Sequence, residues 1–186
     1  PPTITKEGEG YAGRLDSVVF THGGKTYLTG TRRNANKPSM AMPLYRSDDL
    51  TSWTYLGDFL QTDTGKNFNE CPQNFTLGDK MVVAAFYPLK GRFDNHLVGR
   101  FENERFIPET SGRWDYGGHG HVRSFDADTA PDGRVIGWST ISVYGEHDAL
   151  ETARIGWKGM HSLPKEVTLR PDGTLALAPA QEIEQL

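Results

Sequence analysis

Cysteine is all but missing from these 186 residues: Cys71 is the single one. No intrachain disulfide can form, and no cysteine-based zinc site. The lack does not fix a compartment, because secreted bacterial proteins and reduced cytosolic ones both manage without disulfides. Long apolar runs are also missing. None approaches the roughly 18 residues of a membrane-spanning helix, and no charged-then-apolar leader opens the chain. It begins PPTIT, without an initiator methionine. That reads as a start inside a longer polypeptide or as trimming. Positive charge is short as well, with 20 Lys and Arg against 24 Asp and Glu, net -4. An acidic chain is not attracted to nucleic acid or an anionic membrane, so neither is an expected partner. Helical periodicity is absent apart from GEHDALETARIGW (145–157), a candidate for a short helical turn.

What is present is strand pattern. SVVFTHGGKTYLTGTR (17–32) reads as a strand, a Gly-Gly turn and a second strand. MPLYRSDDLTSWTYLGDFL (42–60) repeats that logic around a polar turn. TLGDKMVVAAFYPL, HLVGRFENERFIPE and GHVRSFDADTAPDGRVIGWSTI follow, and EVTLRPDGTLALAP closes the series with a Pro-Asp-Gly turn. Serial hairpins with this turn chemistry predict an all-β sandwich, barrel or propeller. Four units, at 14–57, 66–107, 114–144 and 155–179, each hold an apolar strand, a glycine-bearing turn and an aromatic strand. A unit of about 40 residues fits a four-stranded propeller blade, so the chain is expected to cover about four blades. A propeller removes its exposed edges by closing its ring. An arc of four units reads as part of one.

Several groupings could carry chemistry. In GRLDS (13–17), Arg14 and Asp16 precede an apolar strand and could bind sugar hydroxyls by charge-assisted hydrogen bonds. A surface turn is the competing reading. In NECPQNF (69–75), Glu70 stands beside Cys71 ahead of an apolar strand. A carboxyl held against poorly solvated surroundings has a raised pKa, as a general acid requires; a solvated loop carboxylate is the alternative. WDYGGHGH (114–121) gathers aromatics, glycines and imidazoles, with Asp115 and His121 among them. Glycines there would let backbone approach a ligand. His119 and His121 form an H-x-H pair with no third ligand nearby, so no metal and no cofactor is expected. Trp138 could stack on a sugar or sit in the core. Asn74-Phe75-Thr76 is a glycosylation sequon, and RRNANK (32–37) is too short to imply nucleic acid.

Together these segments resemble glycoside hydrolase family 32, the invertases, inulinases and levanases. YRSDDLTSWTYLG is similar to that family's Y-x-S-x-D-L-x-x-W-x-x-x-G hairpin, and NECPQNF to its W-E-C-P-D-x-F segment. WDYGGHGHVRSF and GRVIGWST resemble D-x-G-x-x-x-Y-A-x-x-x-F and R-x-I-x-x-G-W. SLPKEVTLRPDGTLALAP resembles the L-P-R-E-L … D-G-x-L-x-Q-x-P stretch that ends the family's propeller. The order is the expected one and spans essentially the whole chain.

The resemblance implies a five-bladed β-propeller with an axial, funnel-shaped site, usually followed by a β-sandwich. It implies retaining hydrolysis of β-fructofuranosides, in which one carboxylate attacks and a second, roughly 5 Å away, serves as acid and then base. Glu70 corresponds to the acid/base, and Cys71 to the neighbour that tunes it. Asp16 lies where the family has R-D-P, whose aspartate binds fructose hydroxyls and stabilises the transition state. Trp138 would stand near the fructose pocket, with Arg14, Asp115 and His121 as further substrate contacts. The chain departs from the pattern in three places. Leu15 separates Arg14 from Asp16 and Ser17 replaces the proline, Gln73 replaces an aspartate, and Gly120 or His121 takes a tyrosine's place. The family's nucleophile segment, W-M-N-D-P-N-G, does not occur in these residues. Residues 1–186 are therefore expected to be a partial catalytic propeller without its first blade or its sandwich, inactive or very weak alone. The expected partners are a fructoside and the remaining segment of the same polypeptide or another protomer. An extracellular or periplasmic location is favoured over the cytoplasm. The alternatives are a non-catalytic carbohydrate-binding propeller, a fructosyltransferase of the same family, and a related arabinan- or xylan-active glycosidase.

Overall fold

The computed structural model describes residues 3–4, 16–31, 40–62, 70–87, 93–113, 122–141, 154, 156 and 159–185. Fourteen strands run through them: β1 (Thr3–Ile4), β2 (Asp16–His22), β3 (Lys25–Thr31), β4 (Met40–Ser47), β5 (Ser52–Thr62), β6 (Glu70–Leu77), β7 (Lys80–Tyr87), β8 (Phe93–Glu102), β9 (Arg105–Arg113), β10 (Val122–Thr129), β11 (Val135–Ile141), β12 (Met160–His161), β13 (Lys165–Leu169) and β14 (Leu175–Pro179). A 3-10 turn, Gln181–Gln185, follows them.

Among the described residues the strands form three sheets. The first is β2-β3-β4-β5 with β1 added in parallel on β5, and the second is β6-β7-β8-β9. The third is β10-β11-β13-β14, with β12 also paired to β11. Each is an antiparallel meander in chain order, the build of a propeller blade. The all-β propeller expectation is met; what changes is the grouping of two sequence units. Units 114–144 and 155–179 are halves of one sheet, because Val135–Gly137 of β11 pair with Lys165–Val167 of β13. A lone β10–β11 hairpin would leave the N–H and C=O row of β11 open, and β13 satisfies it. The helical candidate at 145–157 lies outside the described residues, save Arg154 and Gly156.

The sheets stack because their strands alternate. In β7, Met81 and Val83 face one side and pack with Tyr27, Met42, Leu44, Phe59, Phe101 and Phe106. Val82 and Ala84 face the other and pack with Phe75, Val98, Phe125, Val135 and Val167. The second sheet is thus apolar on both faces, which is why MVVAAFY reads as an unbroken run. Polar contacts span both junctions as well: Arg46 Nη1 lies 2.9 Å from Glu104 Oε1, and Thr110 Oγ1 donates to Gly173 O at 2.9 Å.

Candidate active site

The first strands of the three sheets, β2, β6 and β10, lie side by side. Their direction follows from the contacts. His22 at the end of β2 shares a cavity with Asn103 at the end of β8, and β8 runs the same way as β6, both being antiparallel to β7. The starts of β2 and β6 therefore lie together at the opposite end. Gln73, in the first half of β6, shares a second cavity with Thr140, whose partners on β10 lie at that strand's start. All three first strands open on one rim.

Asp16 is the first residue of β2, paired with Thr31, and Glu70 is the first residue of β6, paired with Phe86. The two sequence-predicted carboxylate positions thus open neighbouring strands at one rim. Cys71 follows Glu70 within β6. Arg14, Asp115 and His121, with the rest of WDYGGHGH, lie outside the described residues.

The Glu-Cys-Pro sequence has a backbone consequence. Glu70 pairs with Phe86 and Gln73 with Ala84, so Cys71 and Pro72 together stand opposite Ala85. That is a β-bulge, and proline suits it because proline has no N–H to give to the ladder. Pro72 is buried, and Phe75 three residues on anchors the strand in the core. The first strand of the third sheet has the same irregularity: Arg123 pairs with Thr140 and Asp126 with Trp138, leaving Ser124 and Phe125 opposite Ser139. Bulges turn a strand end and re-aim its side chains. Here they fall near the rim on two adjacent blades.

Gln73, three residues beyond Glu70 in β6, lines a cavity of about 700 Å³ together with Asp126, Trp138, Thr140, His161 and two serines. Trp138 is 44% exposed, so its indole lies on the cavity rather than in the core. Asp126 is its ladder partner, and His161 is that of Thr140, so an indole, a carboxylate, a hydroxyl and an imidazole share one face. The wall is fixed by Ser162: its Oγ accepts from Ser139 N at 3.0 Å, and its N–H donates to Ser139 O at 2.8 Å. Burial is high on the opposite face of β11, where Ser139 is 1% exposed. Sequence reasoning missed Asp126, His161 and Ser162. Asp126 was within reach, since it alternates with Phe125 and Ala127, both core residues. His161 and Ser162 come to the cavity only through pairing with β11, about twenty residues away, and nothing local signals that. The Asn74 amide in the sequon has its polar atoms buried, so a glycan has no room on it in this fold.

A family model described as the glycosyl hydrolases family 32 N-terminal domain matches residues 5–179. The chain belongs to glycosyl hydrolases family 32. Among curated relatives, a fructan 1-exohydrolase from Triticum urartu is 30% identical over 167 residues, covering 77% of this chain and 27% of its own length. Another from Bromus pictus is 31% identical with the same coverage. The chain thus spans about a quarter of the relatives it matches. In structure, a sucrose-6-phosphate hydrolase from Lactobacillus gasseri superposes with a TM-score of 0.76 at 23% identity, covering 97% of this chain and 39% of its own. A β-fructofuranosidase from Bombyx mori gives a TM-score of 0.74 at 22% identity, over 90% and 37%. At those identities the likeness shows the fold: the three sheets are blades of the family 32 propeller.

Proposed function

We propose that this family 32 chain is part of a β-fructofuranosidase, with Glu70 as acid/base and Asp16 as the carboxylate that holds the fructosyl hydroxyls. The observation that carries this reading is the common rim: Asp16 and Glu70 open adjacent first strands of two blades. Glu70 protonates the glycosidic oxygen as the bond breaks, then deprotonates the water that releases the fructosyl group. The bulge behind it gives that carboxylate a fixed backbone platform, and Cys71 is the adjacent group that tunes its proton affinity. Asp16 stabilises positive charge developing on the fructosyl ring. Trp138, beside the same rim, offers a flat apolar face for a sugar ring. Arg14, Asp115 and His121 are carried as further substrate contacts. The attacking carboxylate is assigned to a family segment outside these 186 residues. Fructoside substrates are supported by the fructan 1-exohydrolases among the relatives.

The test is Glu70→Gln in the intact polypeptide, assayed for fructose release from sucrose, inulin and levan. Loss of about 10²–10⁴ in kcat is expected for a general acid/base. Unchanged hydrolysis would instead favour a binding propeller that does no chemistry. Residues 1–186 alone should release no fructose; robust turnover by them would show that the nucleophile lies within this chain.

A further inference from the structure

The far end of the sheets carries a second built cavity. It lies at the end of β2 opposite Asp16, about 20 Å away at 3.3 Å per residue. The β2–β3 and β8–β9 turns border an open cleft of about 510 Å³ there, with His22, Lys25, Tyr27 and Arg46 on one wall and Phe101, Asn103 and Glu104 on the other. Nothing in the fructosidase reading uses this end.

Glu104 is its centre. It occupies a hairpin turn at φ 59°, next to Asn103 at φ 51°. Two left-handed residues in such a turn are the habitual place of Asn-Gly, and a Cβ carries a steric cost there. Strain of that kind points to a role for the side chain. Its Oε1 takes every contact: Arg46 Nη1 at 2.9 Å, the Tyr27 hydroxyl at 3.4 Å and Lys25 Nζ at 3.9 Å. Burial, and then the charge of Glu104, raise the Tyr27 pKa and keep that hydroxyl a donor. Among the described residues Oε2 accepts from nothing. Among the described residues the half-exposed Lys25 ammonium has only the 3.9 Å contact, which leaves it donors to spare. The His22 imidazole is exposed and stands edge-on to Phe101, with centroids 5.1 Å apart and planes at 84°. The Asn103 amide is exposed beside it.

The charges decide the class of ligand. A small anion would meet the Glu104 carboxylate and compete with it for Arg46 and Lys25. A neutral ligand with adjacent hydroxyls meets no such conflict: one hydroxyl donates to Oε2, and its neighbour accepts from Lys25 or Arg46. A C–H face can lie on the braced imidazole. The volume is in the range of sites for molecules of that size. We propose that this cavity binds a neutral saccharide of one or two sugar units, at a site separate from the Asp16–Glu70 rim.

The test is a titration of the isotope-labelled full chain, followed by backbone amide shifts, with sucrose, 1-kestose and inorganic phosphate added separately. Saturable shifts of His22, Lys25 and Asn103 with a saccharide are expected. Glu104→Gly relaxes the turn and removes Oε2, so it should keep the rest of the spectrum and weaken binding at least tenfold. Lys25→Met, at an exposed position that leaves the turn alone, should weaken it at least threefold. The idea is overturned if neither saccharide moves these amides, if both variants bind as the parent does, or if phosphate alone shifts them. Amides around Gln73 report the rim in the same spectra, so failure of the fructosidase reading and failure of this site are told apart.

Discussion

Trp138 and Asp126 are direct partners across the β10–β11 ladder, and both line the cavity that Gln73 of β6 also lines. A carboxylate beside an exposed indole can hold a sugar in two ways at once: the ring face stacks, and the oxygens accept from hydroxyls. The pairing falls just past a bulge in β10, which turns that strand's start toward the rim. A similar bulge in β6 directly follows Glu70.

Trp138→Ala should therefore raise KM for a fructoside about tenfold in the intact enzyme, with a smaller change in kcat. One lost stacking contact is worth about 1 kcal/mol beyond the buried area, and a binding loss shared by ground and transition states appears in KM. The indole is 44% exposed, so thermal stability should barely move. A large fall in Tm with unchanged KM would show that Trp138 supports the fold instead.

Gln73→Asp tests the electrostatics at the other wall. Gln73 lies three residues beyond Glu70, past the bulge, and lines the cavity. A new negative charge there disfavours the ionised form of Glu70, so its pKa rises. The acid form then persists to higher pH, and the basic limb of the pH–rate profile should move up by about half a unit, less in high salt. A limb that stays put would mean that Glu70 is not the group it reports.

How much of this was legible in the sequence differs from residue to residue. The Gly-Gly turn was: Gly23 and Gly24 take φ 56° and 74°, as the flanking strands demanded. So was Gly173 in the Pro-Asp-Gly turn, at φ 77°. The double-faced burial of MVVAAFY followed from its unbroken apolarity. The positions of Asp16 and Glu70 at strand starts were visible from the switch between polar and apolar runs. Blade membership was not. Val135 pairs with Val167 across 31 intervening residues, and either hairpin alone is locally as good a partial blade as any other. The cavity wall from His161 and Ser162 was hidden for the same reason, because only the long-range pairing brings them in. The bulge could have been inferred from Pro72, which no regular inner strand accommodates.

Acid should destabilise the fold through His96. This imidazole is 5% exposed, and burial pushes its pKa down to about 4, against about 6.5 in an unfolded chain. The unfolded state therefore binds the extra proton first. The histidine's contribution is complete above pH 6.5 and is lost as pH falls toward 4, by about 3 kcal/mol in all. Urea midpoints at pH 7 and 4.5 read it. His96→Phe, which keeps a flat ring and removes the titration, should flatten the slope across that window; an unchanged slope would assign it to other groups.

The last prediction concerns the glycine beneath that ring. Gly112 is the ladder partner of His96, and a Cβ at position 112 would lie 2.6 Å from both Cε1 and Nε2 of the imidazole. The ring is buried between the second and third sheets, so it cannot swing away as a surface side chain would. Gly112→Ala should cost about 1–3 kcal/mol, the usual range for overpacking a filled core, and lower Tm by several degrees. His96→Ala opens a cavity at the same place, and in the double variant the new methyl moves into it. The two losses should then be less than additive by about 1 kcal/mol or more, as expected for residues in contact. Strict additivity in the four-protein cycle would mean that the ring and the glycine do not meet.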